Sequence, residues 1–162
     1  MTYYESEWGY CITLYSLWAS MKAANDKKWN KHAIISSEIA MCFNLAIMPI
    51  FWILLAPTFM PTLDWHGIQL FFRFEMTIVH ILPFMVSVLN LMFTKMVFLH
   101  KDSKYCFLAA VGYMVFNFVG LNREGHPMYP VIDWYNLPQT IAIFMFQAVM
   151  FWIINHGAAS AL

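Results

Sequence analysis

The chain has 162 residues, of which 61% are hydrophobic and 11% charged, with nine basic and nine acidic side chains in balance. This leaves too little polar surface for a soluble domain of that length and reads as one integral membrane domain over residues 1–162. A net charge of zero provides neither a basic footprint for nucleic acid nor an acidic tail, so nucleic acid is excluded as a partner.

The first seven residues carry two acids and no base, the opposite of a secretory or transit leader, so no cleavable signal is expected. Residues 8–21 form an apolar segment that reaches only about 21 Å as a helix, against a hydrocarbon core of about 30 Å. Four longer segments follow, at 33–56, 74–99, 105–121 and 137–154, each meeting or approaching the roughly 20 residues that a span needs. The expected fold is an all-α polytopic transmembrane helix bundle, with four long spans plus a shorter N-terminal helix, five in all. Pro49 and Pro83 fall inside the second and third segments. Each removes an N–H, so kinks are expected there, with neighbouring helices covering the freed carbonyls.

Lysines set the orientation. Lys22, Lys27, Lys28 and Lys31 fill one loop and Lys95, Lys101 and Lys104 flank another, whereas the intervening loops carry only Arg123. Both basic loops therefore belong on one face, with loops 57–66 and 122–136 on the other and the C-terminus on the basic side. Trp8, Trp29, Trp52, Trp65, Trp134 and Tyr135 lie mostly near segment ends, as an interfacial aromatic belt would. Cys11, Cys42 and Cys106 are odd in number and lack metal-ligand spacing, so they read as small buried hydrophobes.

Ionisable groups inside a membrane helix are costly, which makes them the place to look for chemistry. The third segment holds Arg73, Glu75, Thr77 and His80. At 100° per residue Arg73, Thr77 and His80 share a face with Phe84 and Ser87, while Glu75 points aside. This polar stripe enters from the non-basic side, and Thr13 reaches a similar depth. A hydroxyl with an imidazole base could cleave an acyl ester, making Thr13 the nucleophile and His80 the base. The residues by themselves favour a simpler account, in which Thr13 bonds the carbonyl of Gly9 one turn back and His80 satisfies a neighbour. Glu38, after Ser36 and Ser37, is expected as a capping or interfacial group near the basic end. Bis-histidine haem needs two facing histidines at matching depth, and only His80 is well inside. With no phosphate loop and no His/Cys/Asp cluster, neither cofactor nor metal is expected.

The order Trp8-Gly-Tyr-Cys-Ile-Thr13-Leu, Phe51-Trp52-Ile53, His80-Ile-Leu-Pro83-Phe and Gly125-His-Pro-Met-Tyr129-Pro130-Val131 resembles the androgen-induced and androgen-dependent TFPI-regulating family of membrane proteins. The resemblance covers most of residues 8–154. It implies a multi-helix bundle and a threonine hydrolase of fatty acid esters, using a Thr after a Trp and a His before a Pro. Thr13 stands one residue further from Trp8, and His80 two residues nearer Pro83, than in the family. The family's first membrane helix also has no counterpart before Trp8.

These departures lead to the functional expectation of a non-catalytic, lipid-contacting accessory subunit in a multi-subunit membrane complex, with an inner mitochondrial energy-converting complex as one home and an endomembrane as the other. Its partners would be membrane lipids and other membrane subunits. The alternative is an intramembrane threonine-type hydrolase of fatty acyl esters. Arg73, Glu75, Thr77, His126 and Tyr129 are the expected pocket or interface residues.

Overall fold

A computed structural model of the chain describes residues 5–94, 97–126, 132 and 134–161. Five long helices make the bundle: α1 (Glu5–Asn25), α2 (Asn30–Pro49), α3 (Gly67–Thr94), α4 (Ser103–Glu124) and α5 (Leu137–Ala161). Four stretches, Lys27–Ile53, Gly67–Thr94, His100–Glu124 and Leu137–Gly157, are long and apolar enough to cross a membrane. The chain is thus an all-α, multi-pass integral membrane protein.

The N-terminal helix is longer than its apolar stretch predicts. Polar flanks join it at both ends, giving 21 residues, or about 31 Å. It runs antiparallel to α2, pairing Trp8 with Phe43 at one end and Trp18 with Trp29 at the other. The turn between them is pinned by Asp26, whose carboxylate accepts the Lys28 N–H at 3.1 Å.

Pro49 produces a change of winding rather than a simple kink. It has no N–H for the Leu45 carbonyl, and from Ile50 to Leu55 the chain winds as a π-helix before a last α-turn at Ala56–Phe59. Helix α3 begins earlier and ends sooner than the apolar run 74–99 suggests. Leu99 has an extended backbone, and its N–H bonds Glu38 on α2 instead of a carbonyl one turn back.

Helix α2 is the hub, touching each of the other four helices. Its span is 61% buried in the bundle, against 11% for α3, so α3 is the peripheral helix. Helices α2 and α4 run parallel, with Phe43 against Tyr113 and Glu38 against Leu99, while α5 returns antiparallel and brings His156 to His100. Both lysine-bearing turns and the end of α5 therefore lie at one end of the bundle, as the loop charges require.

The apolar core gathers Cys42, Phe43, Ala46 and Ile47 of α2, Cys106, Ala110 and Tyr113 of α4, and Phe151 of α5. Phe43 stands edge-on to Phe151, with ring centroids 5.0 Å apart, and such pairs contribute about 0.5–1.5 kcal/mol beyond burial. Two expectations change here. Trp8, expected among the belt aromatics, packs its half-buried ring against Phe43, Tyr113 and Phe116 rather than standing free of the bundle. Cys11 is exposed on the outside of α1, unlike the buried Cys42 and Cys106, since its position on the helix faces away from α2.

Candidate functional site

Apolar side chains gain little by leaving lipid for a helix interface, so membrane helices associate through close packing and interhelical hydrogen bonds. Three helices here carry matching stripes of small or polar residues with a 4-3-4 spacing. They are Gly9, Thr13, Ser16 and Ser20 on α1, Ala33, Ser37, Ala40 and Asn44 on α2, and Pro83, Ser87, Asn90 and Thr94 on α3. The 3.5-residue period keeps each stripe facing its partners along a left-handed crossing. Among the described residues Pro83, Ser87 and Asn90 are the buried positions of α3, so this seam is the face that α3 turns inward.

Two amides organise the seam. Asn44 donates to Thr13 Oγ1 at 2.8 Å and to Ser87 Oγ at 2.8 Å, and its nitrogen also lies 3.2 Å from the Pro83 carbonyl. About two turns toward the basic end, Asn90 donates to Ser37 Oγ at 3.2 Å and to Ser20 Oγ at 3.3 Å. Gly9 marks a close approach of α1 and α2. A Cβ there would stand 2.7 Å from Asn44 Oδ1 and 2.9 Å from Ile47 Cδ1.

Thr13 is thus a structural tie. Its hydroxyl donates to the Gly9 carbonyl at 2.7 Å, as the simpler reading expects, and accepts from Asn44. The side chain facing it on α3 is Ser87, 3.4 Å away, not His80. His80 lies seven residues, about 10 Å, further along α3. There its Nδ1 sits 2.7 Å from the Met76 carbonyl and its ring stacks on Phe51, with centroids 3.5 Å apart. The structure does not bring Thr13 and His80 together.

The expected polar stripe does form. Arg73, Thr77, His80 and Phe84 are half-buried, Ser87 is buried, and Glu75 is exposed. Its outer end is a loop clamp. Arg73 donates from Nε to the Leu63 carbonyl at 2.9 Å and from Nη2 to the same oxygen, while its guanidinium covers the Trp65 ring at 4.3 Å. Thr77 donates to the Arg73 carbonyl at 2.8 Å. His126 is exposed just beyond Gly125, the left-handed residue at φ +75° that ends α4, and Tyr129 lies outside the described residues.

A second polar group, at the basic end, departs from expectation. Glu38 is no interfacial residue: it is 1% exposed, and its Oε1 accepts the Leu99 N–H at 2.7 Å, closing the turn that enters α4. Asp102, also buried, opens α4 beside it. Asn155 of α5 is fully buried, and among the described residues neither its amide atoms nor Glu38 Oε2 finds a hydrogen-bond partner. A pattern in the sequence points to this layer. Glu38 precedes Cys42, and Asp102 precedes Cys106, by one turn each on two parallel helices. Among the described residues no three His, Cys, Asp or Glu side chains converge as a metal site.

With α1, α2 and α3 tied by hydrogen bonds from Asn44 and Asn90 to hydroxyls, and with the imidazole two turns from the threonine, the geometry is that of a packed bundle. Comparison of the chain with known families, with curated proteins and with solved structures returns no match.

Proposed function

We propose that the chain is a non-catalytic, lipid-contacting accessory subunit of a larger membrane assembly, with an energy-converting complex of the inner mitochondrial membrane as one home and an endomembrane as the alternative. The observation that carries this reading is the state of Thr13. Its hydroxyl is engaged by Gly9 and Asn44 and faces Ser87, so it has no imidazole base at hand. The outward face of α3 supports the reading. Phe71, Ile78, Met85 and Met92 recur every seven residues there, are 52–69% exposed, and present the knobs that a partner's helix would accept.

Gentle extraction from the native membrane, followed by native mass and subunit composition, tests the proposal. One large stoichiometric complex is the expected result, and its composition names the process and the organelle. A lone chain or a small homo-oligomer overturns the reading. The hydrolase alternative would then require lipid-ester turnover that disappears in a folded Thr13→Ala variant.

A further inference from the structure

A groove of about 370 Å³ runs between α1, α2 and α4, and its two ends differ in character. Lys31, His32 and Tyr15 line the basic end. Ile35 follows one turn down, and Ile39, Ile12 and Ala109 lie deeper. From Lys31 to Ile39 the groove descends eight residues of α2, about 12 Å, parallel to the helices and hence along the membrane normal. Below the mouth, where Tyr15 carries a phenol, the hydroxyl of Ser36 donates to the His32 carbonyl at 2.7 Å, and Ile35, Ile39, Ile12 and Ala109 make the rest of the shaft apolar.

The mouth is different. Lys31 is exposed and has no ion pair among the described residues, whereas Lys28 is held by Asp26 at 2.8 Å and Lys22 lies over Trp18. No acidic residue lines the groove. Beside the mouth, Tyr15, Trp18, Trp29 and His32 form a chain of touching rings with centroids 4.8–5.7 Å apart. Such rings favour the headgroup level of a bilayer. A cation and aromatic rings at headgroup depth above an apolar shaft match one ligand chemistry, an anionic headgroup carrying an acyl chain.

We propose that this groove binds an anionic phospholipid, with its phosphate at Lys31 and one acyl chain lying along Ile35 and Ile39. The site rests on the lipid-contacting part of the proposed function and is independent of the assembly.

The full chain, purified in mild detergent, is followed by native mass spectrometry and thermal unfolding with four additives: dioleoyl phosphatidylglycerol, dioleoyl phosphatidylcholine, oleate and inorganic phosphate. Phosphatidylglycerol is expected to be retained about five-fold better than phosphatidylcholine, the effect of one lysine near an anionic group, with phosphate inert. Lys31→Ala removes this preference and Lys31→Arg keeps it. Ile35→Trp, which fills the shaft, reduces retention of both phospholipids. Equal retention of the two phospholipids, a preference that survives Lys31→Ala, stabilisation by phosphate alone, or oleate binding as tightly as phosphatidylglycerol overturns the site. Should Ile35→Trp fail to fold, the exposed Lys31 pair decides. Loss of lipid preference in an intact native complex sinks the site alone, and a solitary chain that still prefers phosphatidylglycerol sinks the assembly reading alone.

Discussion

Asn44 donates its side-chain amide to Thr13 Oγ1 at 2.8 Å, linking α2 to α1. The same nitrogen bonds Ser87 on α3, so one amide joins three helices. Asn44→Ala should destabilise the bundle by about 1–2 kcal/mol, the upper range for such bonds in membranes. Thr13→Ala should cost less, about 0.5 kcal/mol, because it removes one interhelical bond while Asn44 keeps Ser87, and its Gly9 bond is local to α1. Reversible unfolding in mixed micelles measures both. A larger loss for Thr13→Ala would assign the tie to the wrong residue.

Gly9 and Gly112 make a matched test of helix approach. A methyl at Gly9 meets Asn44 Oδ1 and Ile47 Cδ1 below 3.0 Å, whereas at Gly112 the nearest atom, of Trp8, is 4.0 Å away. Gly9→Ala should cost about 1–3 kcal/mol through overpacking, and Gly112→Ala should gain up to about 1 kcal/mol from helix propensity. Opposite signs in the same unfolding assay are the expected result.

The Arg73 clamp predicts a change in local order. Arg73→Ala releases the Leu63 carbonyl and uncovers Trp65, so amide exchange across 60–66 should quicken while α5 is unaffected. Arg73→Lys should restore little, since a lysine has neither the planar fork nor the stacking surface. Exchange rates in Arg73→Lys equal to those of the wild type would show that charge alone suffices.

Glu38 separates a hydrogen bond from a charge. Glu38→Gln keeps an oxygen for the Leu99 N–H and should change stability by no more than about 1 kcal/mol, because a buried carboxylate carries its own desolvation cost. Glu38→Ala leaves that N–H unpaired and should cost about 1–3 kcal/mol. If Gln proves as costly as Ala, the carboxylate itself is what the layer with Asp102 and Asn155 requires.

Features that depend on near neighbours in the chain were legible. Thr13 bonds Gly9, and Arg73, Thr77 and His80 line one face of α3 while Glu75 is exposed, because a fixed rise and rotation govern residues four apart. The 4-3-4 stripes were present in the sequence as well. A stripe on one helix does not name the helix that faces it, however, and Asn44 in an apolar run gives no sign of reaching Ser87. Glu38 lies near the basic end, as its sequence position implies, but its burial was not legible for a similar reason: its partner is a backbone N–H 61 residues away, beyond the reach of any local pattern.

By itself the sequence determined the class, the five helices, and the gathering of lysine-bearing turns at one end, because hydropathy over about 20 residues and loop charge act segment by segment. Tertiary structure alone decided that α2 is the hub, that Thr13 meets Asn44 and Ser87 rather than His80, and that Leu99 leaves the helix to bond Glu38. Those outcomes turn on the relative register of helices. Register depends on which small residue admits which neighbour, a property of pairs of surfaces that no single stretch of chain contains.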